Sequence, residues 1–232
     1  MSRFRTTLCA LAALCGVLAL PAWSAGEPAA RVEKLNGVVE AVAANQPPRR
    51  LAAGAQVASG ERIQVGPDSN VTLLFRDESR FELGARGVMV VDRFEMGKKP
   101  EEETFTTRIL KGSFRFVTGL IAKKRPTSMQ VELTVATIGI RGTNVVGEVD
   151  DTSARVILLE PEDDPKRSTS VEVANQFGKV VIDQPGYGTE IPDKFSPPSP
   201  VRRMQVRQIE DMLRAIRSSA MRTIPPQPRP GR

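Results

Sequence analysis

Val71-Thr72-Leu73-Leu74-Phe75-Arg76-Asp77-Glu78-Ser79-Arg80-Phe81-Glu82-Leu83 is the stretch that decides the fold. Val71, Leu73 and Phe75 occupy alternate positions, as do Phe81 and Leu83, and Asp77 separates the two runs. A period of two is the mark of a strand with one buried face. Asp77 and Ser79 have side chains that can bond the amides of the turn between them. The same texture extends both ways along the chain. Residues 32–43, 62–65, 88–94, 105–110 and 113–117 read as strands, and so do 129–137, 144–149, 154–159, 170–174 and 179–183. Turn residues such as Gly54, Gly60, Gly84, Gly112, Gly142 and Gly178 punctuate them at spacings expected of an all-β fold. No amphipathic helical stretch of ten residues precedes residue 200.

The 232 residues allow one domain with appendages. With no His, the chain has no imidazole base, no Ser-His-Asp or Cys-His nucleophile and no His-ligated metal. Residues 1–24 read as a cleavable export signal, with basic Arg3 and Arg5, the uncharged run 6–20, Pro21, and small residues Ala22 and Ser24 before the cut. The apolar run is shorter than the roughly 20 residues needed to span a bilayer. Both cysteines, Cys9 and Cys15, leave with it, so the exported protein has no disulfide to lean on and stands on its core. These features place the protein in the periplasm, with no transmembrane segment after cleavage.

Charge is uneven. Residues 201–232 hold eight arginines against Glu210 and Asp211, whereas residues 25–200 hold 23 basic and 25 acidic groups. A near-neutral body therefore carries a basic tail. Residues 193–200 read as a stiff Pro-rich linker, 201–222 as a basic amphipathic helix and 223–232 as an extended or disordered Pro/Arg-rich end. Ser199 offers an N-cap and Pro200 a first helical position. Ile209, Met212, Leu213, Ile216 and Ala220 make one apolar face, and Arg203, Arg207, Arg214 and Arg217 fall on another. Those four arginines are candidate contacts to an anionic lipid or envelope polymer. Their plainer role is solvation of a helix packed on the β-body or on a sister chain.

Residues 37–143 carry an ordered set of elements. They are Gly37-Val38-Val39, Leu51 with Gly54, Gly60-Glu61-Arg62-Ile63, Asp77-Glu78-Ser79, Leu110-Lys111-Gly112-Ser113-Phe114, and Ile138-Gly139-Ile140-Arg141-Gly142-Thr143. This pattern resembles the FecR-like domain family. The resemblance implies a solenoid-like or sandwich-like all-β module over residues 31–192, used for protein interaction and without known catalysis. It singles out Gly37, Gly54, Gly60, Asp77, Ser79, Gly112, Arg141, Gly142 and Thr143 as motif residues with structural or interaction roles. Glu61 and Glu78 depart from the family pattern. The family's transmembrane regulators carry a cytoplasmic segment that controls a sigma factor, and no such segment precedes the apolar run here, so that control is not carried over. Arg141, between Ile140 and Gly142, is expected to be partly buried and to need an anionic or carbonyl partner.

The expected function is that of an exported, non-enzymatic interaction or sensory accessory module with an envelope protein as partner. One alternative is an envelope-polymer or anionic-surface binder acting through the tail. Another is a glycan-active protein built on carboxylates, though a single Tyr and no Trp after cleavage leave few stacking platforms. Glu101–Glu103 and the acidic run 160–165 lack calcium-loop spacing, so no cofactor or metal is expected. Nucleic acid fits the charge but not export or the scarcity of aromatics.

Overall fold

The computed structural model describes residues 27–97, 99–163 and 168–217. The export signal and residues 223–232 lie outside the described residues, as do 218–222 of the expected helix. The strands, in chain order, begin with β1 (Pro28–Asn36), β2 (Val39–Val42), β3 (Arg49–Arg50), β4 (Gln56–Ala58) and β5 (Arg62–Val65). They continue with β6 (Asn70–Phe75), β7 (Arg80–Leu83), β8 (Val88–Glu95) and the long β9 (Thr104–Val117). A short helix α1 (Leu120–Lys124) follows, then β10 (Met129–Leu133), β11 (Thr137–Arg141), β12 (Asn144–Val149) and β13 (Ala154–Leu159). The chain closes with β14 (Ser170–Asn175), β15 (Gly178–Ile182), β16 (Tyr187–Ile191), β17 (Arg202–Arg203) and helix α2 (Val206–Arg217).

The 17 strands of the described residues belong to one mixed sheet, which folds into two facing layers at β9. Thr104–Lys111 of β9 pairs with β8 and, in parallel, with β10. Gly112 to Val117 pairs with β7 and β12 instead. Gly112 sits at the changeover with φ +99°, and a Cβ there would lie 2.7 Å from the Gly87 Cα. Only glycine lets the strand turn from one layer into the other at that contact. One layer runs β4-β1-β6-β7-β9-β12-β13-β16-β17, and the other runs β3-β2-β5-β8-β9-β10-β11-β14-β15.

Alternation along each strand fills the space between the layers. Phe75 of β6 reaches Phe105 of β9 at 4.4 Å between ring centroids, and Phe81 of β7 reaches the same ring at 5.6 Å. Phe94, Phe114 and Phe116 complete a buried aromatic core. Each favourable ring pair adds about 0.5–1.5 kcal/mol to the burial itself.

Several strand expectations need correction in detail. Residues 32–43 are two strands in different layers, because Gly37 takes φ +76° and a Cβ there would meet the Ser69 Oγ at 2.2 Å. Residues 105–110 and 113–117 are one strand, and 129–137 is two, turning at residues 134–136. The segment expected to be a stiff linker, 193–200, is hydrogen-bonded to β16. Ser199 N–H donates to the Glu190 carbonyl at 2.8 Å, and the Glu190 N–H donates to Ser199 Oγ at 2.9 Å. Ser199 therefore does not cap a helix. The chain first adds β17 to β16, and α2 begins at Val206 rather than at 201. There the Gln205 N–H donates to the Gln208 side-chain oxygen at 3.2 Å, half of a capping box.

Helix α2 lies on the outer face of the first layer. Met212 and Ile216 are buried with Val146, Ile157 and Met204 in a second, smaller apolar cluster. Gly84 admits this approach, since a Cβ there would sit 2.7 Å from the Ala215 carbonyl oxygen. Ile216→Ala is expected to cost about 2 kcal/mol, seen as a lower urea midpoint with an unchanged slope. An unchanged midpoint would mean that α2 does not dock in solution.

Candidate interaction site

Two motif segments, 77–79 and 138–143, meet residues 118–121 in one buried polar node. The Asp77 carboxylate accepts the Ser79 N–H at 3.1 Å on one oxygen, and the Ser79 hydroxyl at 2.8 Å and the Ile121 N–H at 3.4 Å on the other. Ser79 Oγ in turn accepts the Gly119 N–H at 2.8 Å, and the Asp77 carbonyl accepts the Leu120 N–H at 2.6 Å. Next door, the Thr143 N–H donates to Thr118 Oγ1 at 2.7 Å, and the Thr118 N–H donates to the Thr143 carbonyl at 3.0 Å. Asp77 and Ser79 are fully buried and Thr143 nearly so. Burial pushes the Asp77 carboxyl above its ordinary value, while the bonds from Ser79 and Ile121 pull the other way. Glu78 takes φ +68°, so the tight turn itself is strained. A polar group walled in this way holds chain segments together and presents nothing to a substrate.

The remaining motif residues do not join the node. Gly54, Gly60 and Gly142 have φ of +81°, +84° and +60°, with open space where a Cβ would stand. Their role is the left-handed turn alone. Arg141 is exposed at the end of β11, with no ion pair or hydrogen bond to its side chain among the described residues. The expectation of partial burial is therefore corrected. Ile138 and Ile140 point inward, so period two turns Arg141 outward, and its alternation with Ile140 was the available signal. Arg141→Ala is expected to change unfolding free energy by no more than about 0.5 kcal/mol, measured by urea denaturation. A larger loss would show a partner that the fold does not display.

The buried arginine is Arg115 on β9, which sequence reasoning passed over. It donates to Asn144 Oδ1 at 3.1 Å, to Glu82 at 3.1 Å and to Glu162. Arg80 bridges Glu33 at 3.0 Å and extends the network across β1, β7 and β9. This satisfies the outer face of the first layer where α2 does not cover it.

Two surface grooves are lined partly by carboxylates. The smaller, about 280 Å³, is lined by Glu148, Asp150, Arg155 and Glu190 among others. Asp150 is held at about 2 by the Thr152 and Ser153 amides and the Ser153 hydroxyl. Burial works to raise Glu190, but Arg155 and Arg202 outweigh it and hold it low. In both cases the surroundings favour the charged carboxylate. In the other groove Glu27, Asp92 and Glu95 face Arg76, Arg108 and Arg93. Among the described residues no group of three His, Cys, Asp or Glu side chains is placed to hold a metal.

The tail arginines Arg203, Arg207, Arg214 and Arg217 are all exposed. Asp211 lies 3.4 Å from Arg214 and 4.0 Å from Arg207 and offsets part of that charge. The apolar face of α2 is occupied by the β-body, so it is not available to enter a lipid surface.

Residues 61–162 match the family model described as FecR protein. The chain carries a FecR domain. It runs from the residue before β5 to the loop after β13 and contains the whole node, together with Gly112, Arg141 and Gly142. Gly37, Gly54 and Gly60 lie before it. Two crystal structures of a candidate anti-sigma factor from Parabacteroides distasonis, at 1.65 and 2.50 Å, are similar to the chain at 14% identity and a TM-score of 0.48. Each match covers 66% of this chain and 64% of the other, so the chain spans less than two thirds of that protein's length. No curated protein matches the chain in sequence. Around the FecR domain, β1–β4 and β14–β17 complete the two layers, and α2 covers one outer face.

Proposed function

We propose that this FecR-domain protein is an exported, non-enzymatic interaction module that engages an envelope protein in a signalling role. The observation that carries this reading is the closure of the motif node. Asp77, Ser79 and Thr143 are buried and tied to the segment 118–121, while Arg141 of the same motif set is exposed, so the domain's use lies on its surface rather than in a cleft. The basic start, the apolar run 6–20 and the small residues before residue 25 support export, and with it a periplasmic site of action as part of this reading. The anionic-surface reading keeps one supporting observation, the exposure of Arg203, Arg207, Arg214 and Arg217.

Crosslinking in intact cells, followed by recovery of the full chain from the envelope, separates the readings. One specific protein should be recovered equally by the wild type and by the R203Q/R207Q/R214Q/R217Q variant. Recovery of only lipid or anionic polymer, lost in that variant, would overturn the protein-interaction reading in favour of the tail.

A further inference from the structure

The two layers have four edges, and three of them are blunted. β3 and β17 are two residues long, each a pair of arginines. β4 has three residues, and its Gln56 carbonyl is taken by Arg49 at 2.7 Å. Short, charged or covered edges are how sheets avoid adding strands. The fourth edge, β15, differs. Its five residues pair with β14 alone, and among the described residues its backbone bonds to nothing else. Unpaired edge N–H and C=O groups are matched by water or by another strand.

The apolar exposure gathers at the same place. Of the eight phenylalanines among the described residues, six are buried, and the exposed two, Phe177 at 45% and Phe195 at 69%, lie beside one another's loops. Phe177 is in the β14–β15 turn, where its N–H donates to Asn175 Oδ1 at 3.0 Å. Asn175 also donates to the Ser196 carbonyl at 2.8 Å, which ties that turn to the loop bearing Phe195. Gly178 packs within 3.1 Å of Pro197, measured from where its Cβ would be. Val181, 52% exposed, stands on the same outer face of β15, beyond Lys179, which bridges Glu172 of β14 at 3.2 Å. Among the described residues Val38 and Val206 are the other large apolar side chains exposed, and neither is on β15.

Lys194 and Asp193 are the charged groups beside Phe195. Lys194 stands over the Phe195 ring at 5.0 Å and has no ion pair among the described residues. The adjacent Asp193 carboxylate accepts the Phe195 N–H at 2.7 Å and the Ser196 hydroxyl at 2.8 Å within its own turn. Resting on the protein-interaction reading above, we infer that β15 is the docking edge. It takes an extended segment of a partner protein as an added strand, with apolar side chains on Phe177, Val181 and Phe195 and a carboxylate at Lys194. Backbone pairing supplies the register, and the two rings supply the anchors.

The probe is a random dodecapeptide library displayed on phage and selected on the full chain. Selected peptides are then synthesised both unmodified and N-methylated at alternate residues. The expected result is alternating apolar sequences with an acidic residue near one end. N-methylation should weaken binding at least tenfold, F177S/F195S should do the same without changing the melting temperature, and bound peptide should slow amide exchange in β15. The inference is overturned if no peptide is selected, if N-methylation is without effect, or if protection falls on another element. Dimerisation of the free chain through β15, abolished by F177S/F195S, would also overturn it by making a second copy the occupant. An envelope partner still captured by F177S/F195S would sink the edge while leaving the interaction reading intact. Peptide binding with no captured partner would do the reverse.

Discussion

Gly119→Ala should lose about 4 kcal/mol or more of unfolding free energy, or fail to fold. Gly119 has ordinary negative φ, so its requirement is one of space and not of left-handed backbone. A Cβ there would stand 1.9 Å from the Asp77 carbonyl oxygen and 2.4 Å from the Ser79 nitrogen. Both are backbone atoms of the turn between β6 and β7, so no rotamer relieves the clash. Separating the two segments would break the Gly119-to-Ser79 and Leu120-to-Asp77 hydrogen bonds together. Overpacking typically costs about 1–3 kcal/mol, and the loss of buried bonds adds to it. Thermal and urea unfolding of the purified variant would measure this, and a loss below about 1 kcal/mol would mean that the node is loose.

Asp77→Ala is the second large effect, at about 3 kcal/mol. Removing the carboxylate leaves the Ser79 N–H, the Ser79 hydroxyl and the Ile121 N–H without their acceptor in a buried place. Each unsatisfied buried group costs about 1–3 kcal/mol. Asp77→Asn keeps one acceptor oxygen but turns an NH₂ toward donors, so it should fall between the wild type and the alanine variant. The pH dependence has a definite sign. Burial raises the Asp77 carboxyl in the folded state above 3.8, so the folded protein holds that proton more tightly than the unfolded chain. Its contribution is fully present below 3.8 and is lost as pH rises through the raised value. Asn does not titrate, so the stability gap between wild type and Asp77→Asn should be wider at mildly acidic pH than at neutral pH. A gap that narrows on acidification would contradict this picture.

The strands were legible because their alternation is local. Val71 to Phe75 and Phe81 to Leu83 show their inward faces in the sequence itself, and the structure buries those same residues. What was not legible depended on distance or on glycine. Gly37 reads as one more small residue in an apolar run, yet it sends β1 and β2 into different layers. Gly112 reads as a break, yet β9 passes through it. β17 and much of β16 have no apolar run to announce them, and their pairing depends on the chain returning from residue 199. The polar node joins Ser79 to Gly119 and Thr118 to Thr143, contacts made across 40 and 25 residues that no local pattern encodes. Phe177 gave a weak signal, an aromatic residue in the turn Asn175-Gln176-Phe177-Gly178 where polar residues usually stand. Phe195 gave a similar one inside a polar, Pro-rich segment.

The central claim is that the FecR motif is a closed structural lock and that the protein works through its surface. Native-state hydrogen exchange at the amides of Ser79, Gly119, Ile121 and Thr143 tests it most directly. The account predicts that all four exchange only through global unfolding, with opening free energies equal to that from urea denaturation. Opening of these amides at much lower free energy, while the aromatic core stays protected, would show that the node gates an interior site and would contradict the account.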